Sequence, residues 1–168
     1  MFVGKSPSVK RIAQVAKPKK RPEMPRVFSW LNPKLEVRNT VKYGKGMFAS
    51  MRIPKGERLC VFGGMVISVA EEWAICGDLG IQIGEDVSMV HPLADDPANF
   101  INHSCSPNAG IRGQIVLESM KGIKANEEIT FDYGMCLHPS PGAPQYKMKC
   151  SCGAKNCRGV VTEDDWQL

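Results

Sequence analysis

Three short stretches of this sequence hold residue types that can do chemistry. Residues 99–108 read NFINHSCSPN, residues 127–134 read EEITFDYG, and residues 150–157 read CSCGAKNC. Asn and Ser side chains compete for backbone hydrogen bonds and Pro removes a donor, so the first stretch predicts a loop rather than a helix or strand. Most polar loops are only connectors, and its histidine alone would be interpreted as a structural, hydrogen-bonded side chain. The other two stretches change that interpretation.

The second stretch predicts a strand that carries two aromatic residues. Strand side chains alternate between faces, so Ile129, Phe131 and Tyr133 are expected to share one face. Most aromatic residues in strands belong to a core, which is the alternative interpretation. Gly134 follows Tyr133, however, and predicts a strand end at which the phenol reaches a cleft.

The third stretch is a thiol cluster suited to a metal. Cys150, Cys152 and Cys157 supply three soft ligands, whereas structural zinc takes four in a tetrahedron. The candidates for the fourth ligand are Cys60, Cys76, Cys105 and Cys136. Cys60 in an apolar strand and Cys76 at a helix end are typical of ordinary buried thiols. A reduced cluster without metal is the alternative. Seven cysteines, an odd number, argue against a fully paired disulfide framework and for an intracellular, reducing compartment.

Composition indicates one globular domain without a membrane segment. The chain has 168 residues, of which 43% are apolar and 23% charged. Its longest apolar run, residues 59–70, is interrupted by Gly63 and Gly64 and is too short to cross a bilayer. The basic N-terminus has no continuous apolar region, so a secretory signal is not expected.

Positive charge is concentrated in the first 26 residues. They carry eight Lys or Arg and one Glu, so they contribute +7 to the net charge of +5 and the remaining residues contribute −2. Residues 1–26 predict a disordered, solubilising tail. The functional alternative is a weak electrostatic contact with nucleic acid or another acidic surface.

The rest of the chain predicts many short strands and almost no helix, which indicates a mostly β class. Predicted strands cover residues 35–41, 58–62, 65–68, 81–90 with a break at 84–86, 111–119, and a segment around Ile129. Gly63 and Gly64 predict a hairpin between the second and third of these. Ser68 and Glu71 form a capping box that opens a helix over residues 69–76, ended by Gly77.

Together the motifs NHSCxPN, EEITFDYG and CxCx4C, in this order, resemble the SET-domain protein-lysine methyltransferases with their post-SET tail. The resemblance covers roughly residues 37–166. It implies a SET-domain (β-clip) fold of small curled sheets with a knot-like crossing and few short helices. It also divides the chain into a basic tail (1–26), a SET domain (27–140) and a Cys-rich post-SET tail (141–168).

The resemblance implies methyl transfer from S-adenosyl-L-methionine to a lysine of a basic protein, such as a histone or another chromatin or ribosomal protein. It assigns the catalytic role to Tyr133 and the wall of the lysine channel to Phe131. It selects Cys105 as the fourth ligand of one structural Zn²⁺, beside Cys150, Cys152 and Cys157. The cofactor-binding residues it implies are Tyr43, Gly44, Lys45, Asn102, His103 and Trp166, although Trp166 packing on the core is an equal alternative.

Further expectations concern specificity and setting. Phe131 has no hydroxyl to hold a water beside the amine, which favours di- or trimethyllysine as product. The chain departs from the family pattern at residues 81–83, which read IQI where an aromatic residue often stands, and at Asn99, where Arg is frequent. These departures bear on lysine orientation more than on cofactor binding.

A monomer is expected, in the nucleus on chromosomes if the host is a eukaryote and in the cytoplasm if it is a bacterium. The rival hypothesis is a catalytically weak, zinc-stabilised interaction module.

Overall fold

The computed structural model describes residues 29–41, 44–77, 80–91 and 95–167, without the side chains of Cys76 and Trp166. The basic tail of residues 1–26 and Tyr43 lie outside the described residues.

Among the described residues, the chain forms short strands, one α-helix and three 3₁₀ helices. The strands are β1 (Trp30–Leu31), β2 (Leu35–Thr40), β3 (Gly44–Ala49), β4 (Arg58–Val61), β5 (Met65–Ser68), β6 (Ile81–Gly84), β7 (Val87–Val90), β8 (Asn102–His103), β9 (Ala109–Arg112), β10 (Val116–Ser119), β11 (Glu128–Phe131), β12 (Lys147–Lys149) and β13 (Val160–Thr162). The α-helix is α1 (Val69–Cys76), and the 3₁₀ helices are Pro97–Phe100, Tyr133–Cys136 and Asp165–Gln167.

The strands within the described part of the chain form four small sheets. Their orders are β1-β4-β10-β9, β2-β3-β11-β8, β5-β7-β6 and β12-β13. The predicted class, mostly β with small sheets and few short helices, is therefore confirmed. No helix within the described ranges is long and apolar enough to span a membrane.

The hydrophobic core lies between the first two of these sheets. Leu59 and Leu117 come from β4 and β10, Met47 and Ile129 come from β3 and β11, and all four side chains are fully buried. Burying an aliphatic side chain of this size is worth about 1.5–3 kcal/mol. The sheet that contains β11 is therefore fixed against the rest of the domain.

The expectations for helix α1 are confirmed at both ends. The Ser68 hydroxyl accepts the Glu71 N–H at 3.2 Å, and the Glu71 carboxylate accepts the Ser68 N–H at 3.2 Å. Gly77 follows the helix with φ of +72°, a conformation that L side chains rarely adopt.

The predicted hairpin at Gly63 and Gly64 is wrong. Strand β4 pairs with β1 and β10, whereas β5 pairs with β7 in a different sheet. Gly64 has φ of +146°, and a Cβ added there would lie 2.3 Å from the Val90 carbonyl oxygen. The glycine pair thus passes the chain from one sheet to another through a space that admits only glycine.

Two further expectations are corrected. The single strand predicted over residues 111–119 is a hairpin of β9 and β10, because Gly113 takes φ of +66° and turns the chain. The loop predicted over residues 99–108 contains the end of a 3₁₀ helix and the short strand β8, because β11 supplies backbone partners that a sequence pattern cannot reveal.

Gly64→Ala is expected to destabilise the fold more than Gly56→Ala. Both glycines have positive φ, but a Cβ at Gly56 would meet nothing within 4 Å, so Gly56→Ala isolates the backbone strain, about 1–3 kcal/mol. Gly64→Ala adds the clash with Val90, so its free energy of unfolding should fall by about 1–3 kcal/mol more than that of Gly56→Ala. Denaturant unfolding of both variants measures the difference. Equal losses would contradict the close approach at Gly64.

Candidate active site and metal centre

Pairing of β8 with β11 joins two of the three chemically promising stretches. The strands run parallel, with Asn102 opposite Thr130 and His103 opposite Phe131. The Ser104 N–H extends the pairing by donating to the Phe131 carbonyl at 3.1 Å. The polar loop and the aromatic stretch therefore share a backbone ladder.

The rings of Phe131 and Tyr133 are adjacent, but the backbone that brings them together differs from the expected strand. Strand β11 ends at Phe131, and Tyr133 begins a 3₁₀ helix. The expectation that both side chains share one strand face is therefore wrong. The Asp132 carboxylate accepts the Gly134 N–H at 3.0 Å and caps the 3₁₀ turn, which returns the Tyr133 ring to 4.9 Å from the Phe131 ring. The Tyr133 hydroxyl donates to the Ile101 carbonyl at 3.1 Å.

A cavity of about 110 Å³ lies beside this pair. Both rings line it, together with Phe62, Ile81 and Tyr146. Ile81 belongs to the segment where an aromatic residue was missing from the expected pattern, so an aliphatic side chain takes part of the wall. Sequence reasoning missed Phe62 and Tyr146. The signal for Tyr146 was an aromatic residue next to the Pro-rich segment of residues 137–145, and it is buried in the structure.

Strand β3, which begins at Gly44, also contacts the loop that contains Asn102. The Asn102 side-chain amide donates to the Lys45 carbonyl at 3.0 Å and to the Glu128 carboxylate at 2.7 Å. A Cβ on Gly46 would lie 2.5 Å from the same Glu128 oxygen and 3.1 Å from the Asn102 amide nitrogen, so a side chain there would have to displace this hydrogen-bonded pair. The Lys45 ammonium lies 4.8 Å from the centre of the Phe100 ring. The structure thus brings Gly44 and Lys45 next to Asn102, and sequence reasoning missed Glu128.

His103 connects the aromatic pair to the thiol cluster. Its Nδ1 accepts the Tyr133 N–H at 3.2 Å, so the ring proton belongs on Nε2, which lies 3.3 Å from the Cys105 sulfur. Burial lowers the pKa of His103, which keeps the ring neutral, although the nearby Asp132 charge opposes this. Both ring nitrogens therefore have partners inside the protein, and any contact of His103 with a cofactor falls to its backbone or to the ring face.

The four predicted ligand residues converge. The sulfurs of Cys105, Cys150, Cys152 and Cys157 all lie within 4.8 Å of one another. Cys150 is 3.8 Å from Cys105 and 3.7 Å from Cys157. A tetrahedral zinc with Zn–S bonds of about 2.3 Å places its sulfurs about 3.8 Å apart, so the cluster fits this ion.

Cys60 and Cys136, the other described candidates for the fourth ligand, lie outside the cluster. Burial raises the pKa of each of these thiols to about 12, which is typical of inert core cysteines. The side chain of Cys76 lies outside the described part of the chain.

Backbone donors around the cluster favour thiolates. The Cys105 N–H donates to the Cys152 sulfur and the Arg158 N–H donates to the Cys105 sulfur, both at 3.4 Å. Burial opposes ionisation of Cys152, but the N–H donors of Cys105 and Ala154 bring its pKa down to about 6. Burial raises the pKa of Cys150 to about 12. The donors thus outweigh burial at Cys152, whereas burial raises the pKa of Cys105 and Cys150, so a cation at the centre would be needed to favour four thiolates together.

Comparison with known proteins agrees with this geometry. The family model described as SET domain matches residues 44–134, more than half of the chain. The chain is 29% identical over 164 residues to histone-lysine N-methyltransferase SUVR5 of Arabidopsis thaliana, covering 79% of this chain and 12% of the relative. It is 33% identical over 131 residues to histone-lysine N-methyltransferase 2B of Homo sapiens, covering 69% of this chain and 5% of the relative. The chain thus spans only a small part of these relatives.

Solved structures give the same result. A crystal structure of KRYPTONITE in complex with mCHG DNA and SAH superimposes with a TM-score of 0.57 at 28% identity, covering 75% of this chain and 28% of that one. A second KRYPTONITE structure, in complex with mCHH DNA, an H3(1-15) peptide and SAH, has a TM-score of 0.58 at 28% identity. It covers 77% of this chain and 30% of KRYPTONITE.

Protein purified under reducing conditions is expected to contain one zinc ion per chain. Cys105→Ser should lower the zinc content because it removes one of four ligands, and Cys60→Ala, which removes a buried thiol outside the cluster, should not. Elemental analysis of the three proteins measures this. Wild-type protein without zinc would contradict the metal centre, and full occupancy in Cys105→Ser would contradict only the fourth ligand.

Proposed function

Because the chain belongs to the SET-domain family, we propose that it is an S-adenosyl-L-methionine-dependent protein-lysine N-methyltransferase. One observation carries this proposal: the rings of Phe131 and Tyr133 border a largely apolar cavity directly beside the loop that contains Asn102 and His103. A cavity lined by aromatic rings and several aliphatic side chains suits the aliphatic stem of a lysine. The names of the relatives support the same reaction.

The residues around Gly44 fit the proposed cofactor. Gly44 has φ of +76° with nothing within 4 Å of where a Cβ would stand, so its backbone borders open space. Lys45 offers a cation to a carboxylate, and the Asn102 amide fixes the backbone of Lys45 against β8. We propose that Gly44, Lys45, Asn102 and the backbone of His103 hold the cofactor. Tyr43 and Trp166 stay in this proposal on the sequence pattern alone.

When bound, S-adenosyl-L-methionine supplies a methyl group on a positively charged sulfur. The chain's part is to present a neutral amine in line with that group. A lysine amine has a pKa of about 10.4 in water, and the aromatic and aliphatic part of the cavity wall disfavours its charged form, although the buried Asp96 carboxyl group in the same wall opposes this. Most of the rate gain comes from positioning.

Tyr133 is suited to aim the amine. Its hydroxyl proton is donated to the Ile101 carbonyl, so the phenol oxygen acts as an acceptor towards an amine N–H. Accepting one N–H turns the nitrogen lone pair to a fixed direction. Phe131, at 4.9 Å between ring centres, restricts the stem of the lysine beside it. These are the catalytic and wall roles that we assign to the two residues.

The proposed substrate is a lysine in a basic protein segment such as a histone tail. One KRYPTONITE structure contains an H3(1-15) peptide together with SAH, the form that S-adenosyl-L-methionine takes after losing its methyl group. In a eukaryotic cell this substrate places the protein on chromatin. We also propose the division into residues 27–140 and 141–168, a monomeric state, and a weak nucleic-acid contact through residues 1–26.

A direct assay tests the activity. The protein is incubated with methyl-labelled cofactor and a panel of histones, other chromatin proteins and ribosomal proteins, and products are mapped by mass spectrometry. Transfer to a lysine amine is expected. Cofactor and substrate binding without any transfer would instead support the interaction-module hypothesis.

Tyr133→Phe is expected to lower kcat roughly 10²-fold or more while leaving cofactor affinity nearly unchanged, because the hydroxyl acts on the amine in the transition state. Tyr146→Phe is the matched control. Tyr146 lines the same cavity, but its hydroxyl lies 3.6 Å from the Met148 sulfur. Steady-state kinetics and calorimetric cofactor titration separate the two effects. Near-normal turnover in Tyr133→Phe would remove Tyr133 from the mechanism.

Phe131→Tyr is expected to shift the product towards monomethyllysine. The wild type should produce di- or trimethyllysine, since Phe131 offers no hydroxyl to hold a water in the space that further methyl groups need. The gain of one water site is worth on the order of 0–2 kcal/mol. Mass spectra at long times with excess cofactor measure the product distribution. Only monomethyllysine from the wild type would show that another part of the cavity sets the limit.

A further inference from the structure

Asp132 occupies the turn between the two aromatic residues of the proposed active site. It follows Phe131, where β11 ends, and precedes Tyr133, where the 3₁₀ helix begins. One carboxylate oxygen accepts the Gly134 N–H at 3.0 Å and so caps that helix. The direction of the Tyr133 ring therefore depends on where the Asp132 side chain is held.

Arg158, in the Cys-rich tail, holds that carboxylate. Its two terminal nitrogens donate to the two Asp132 oxygens at 2.9 and 2.5 Å, a bidentate pair. Each side chain is 19% exposed, so water screens this pair less than a surface ion pair. The Arg158 Nε also lies 3.2 Å from the Asp165 carboxylate. One guanidinium thus stands between an acid of the active-site turn and an acid of the tail.

The position of Arg158 is in turn tied to the metal centre. Arg158 directly follows Cys157, and its N–H donates to the Cys105 sulfur at 3.4 Å. A Cβ on Gly134 would lie 3.1 Å from both Cβ and the carbonyl oxygen of Asp165, so the turn and the end of the tail touch at a glycine. The tail contacts the active-site turn through charge and through packing.

We propose that Arg158 is a positioning residue that sets the orientation of Tyr133 through Asp132. The catalytic part of this inference rests on the proposed function, whereas the structural part does not. The geometry of the Arg158–Asp132 pair predicts that loss of the Arg158 side chain lowers kcat rather than the affinity for substrate or cofactor.

Kinetics of Arg158→Met test the catalytic part. Zinc content is expected to stay at the wild-type level, and KM values should change less than about threefold. The value of kcat should fall roughly 10-fold or more, because small misplacements of catalytic groups are costly. Arg158→Lys should recover only part of the rate, since an ammonium cannot pair with both oxygens in the bidentate manner. Arg112→Met is the matched control, because Arg112 is 78% exposed and pairs with Glu118 on the surface.

Fluorine NMR tests the structural part without any turnover. The chain has three tyrosines, so 3-fluorotyrosine labelling gives three resonances, and Tyr133→Phe identifies that of Tyr133. Arg158→Met should shift or broaden the Tyr133 resonance, and Arg112→Met should not. If the wild type proves inactive, the proposed function fails while this spectrum still decides on Arg158.

Asp132→Asn provides a second route if Arg158→Met does not fold. It should produce the same displaced resonance and the same loss of kcat as predicted for Arg158→Met. Where both single variants fold, the double variant should be no worse than either of them. An unchanged Tyr133 resonance with unchanged kcat in either variant, additive losses in the double variant, or loss of zinc from Arg158→Met would each overturn the proposal.

Discussion

The structure depends on a short parallel pairing between β8 and β11. It involves only two residue pairs, Asn102 with Thr130 and His103 with Phe131. Parallel strands need a long crossover connection, and here the whole β9–β10 hairpin lies between the two strands in sequence. Because the pairing fixes the backbone on both sides, the polar loop and the aromatic pair keep a constant relative position. The candidate active site and the metal centre both follow from that constraint.

His103 shows how the site and the metal centre are linked. A neutral imidazole accepts the Tyr133 N–H on one nitrogen and faces the Cys105 sulfur with the other. Residues beyond the immediate ligands commonly orient metal-binding side chains in this way. The cofactor role expected of this histidine stays a prediction for its backbone or ring face, because both ring nitrogens have partners inside the protein.

The Cys-rich tail, residues 141–168, is brought against the loop that contains Cys105, although the two are distant in sequence. Cys105 and Cys150 are 45 residues apart, and fixing such a loop without a strong bond is entropically costly. A zinc ion held by the four cysteines would supply that bond, and its binding free energy would become folding free energy for the tail. The ion pair of Arg158 and Asp132 then holds the tail in position on the turn that begins at Tyr133.

The sequence by itself determined the features that depend on local chemistry. The mostly β class, helix α1 with its capping box, and the candidate zinc cysteines followed from residue types and spacing, with Cys105 selected through the family resemblance. Tertiary structure decided the rest. Gly63 and Gly64 connect two sheets, Tyr133 lies in a 3₁₀ turn, and Tyr146 and Arg158 join the site from the tail. These depend on contacts between residues far apart in the chain, and such contacts have no periodicity along it.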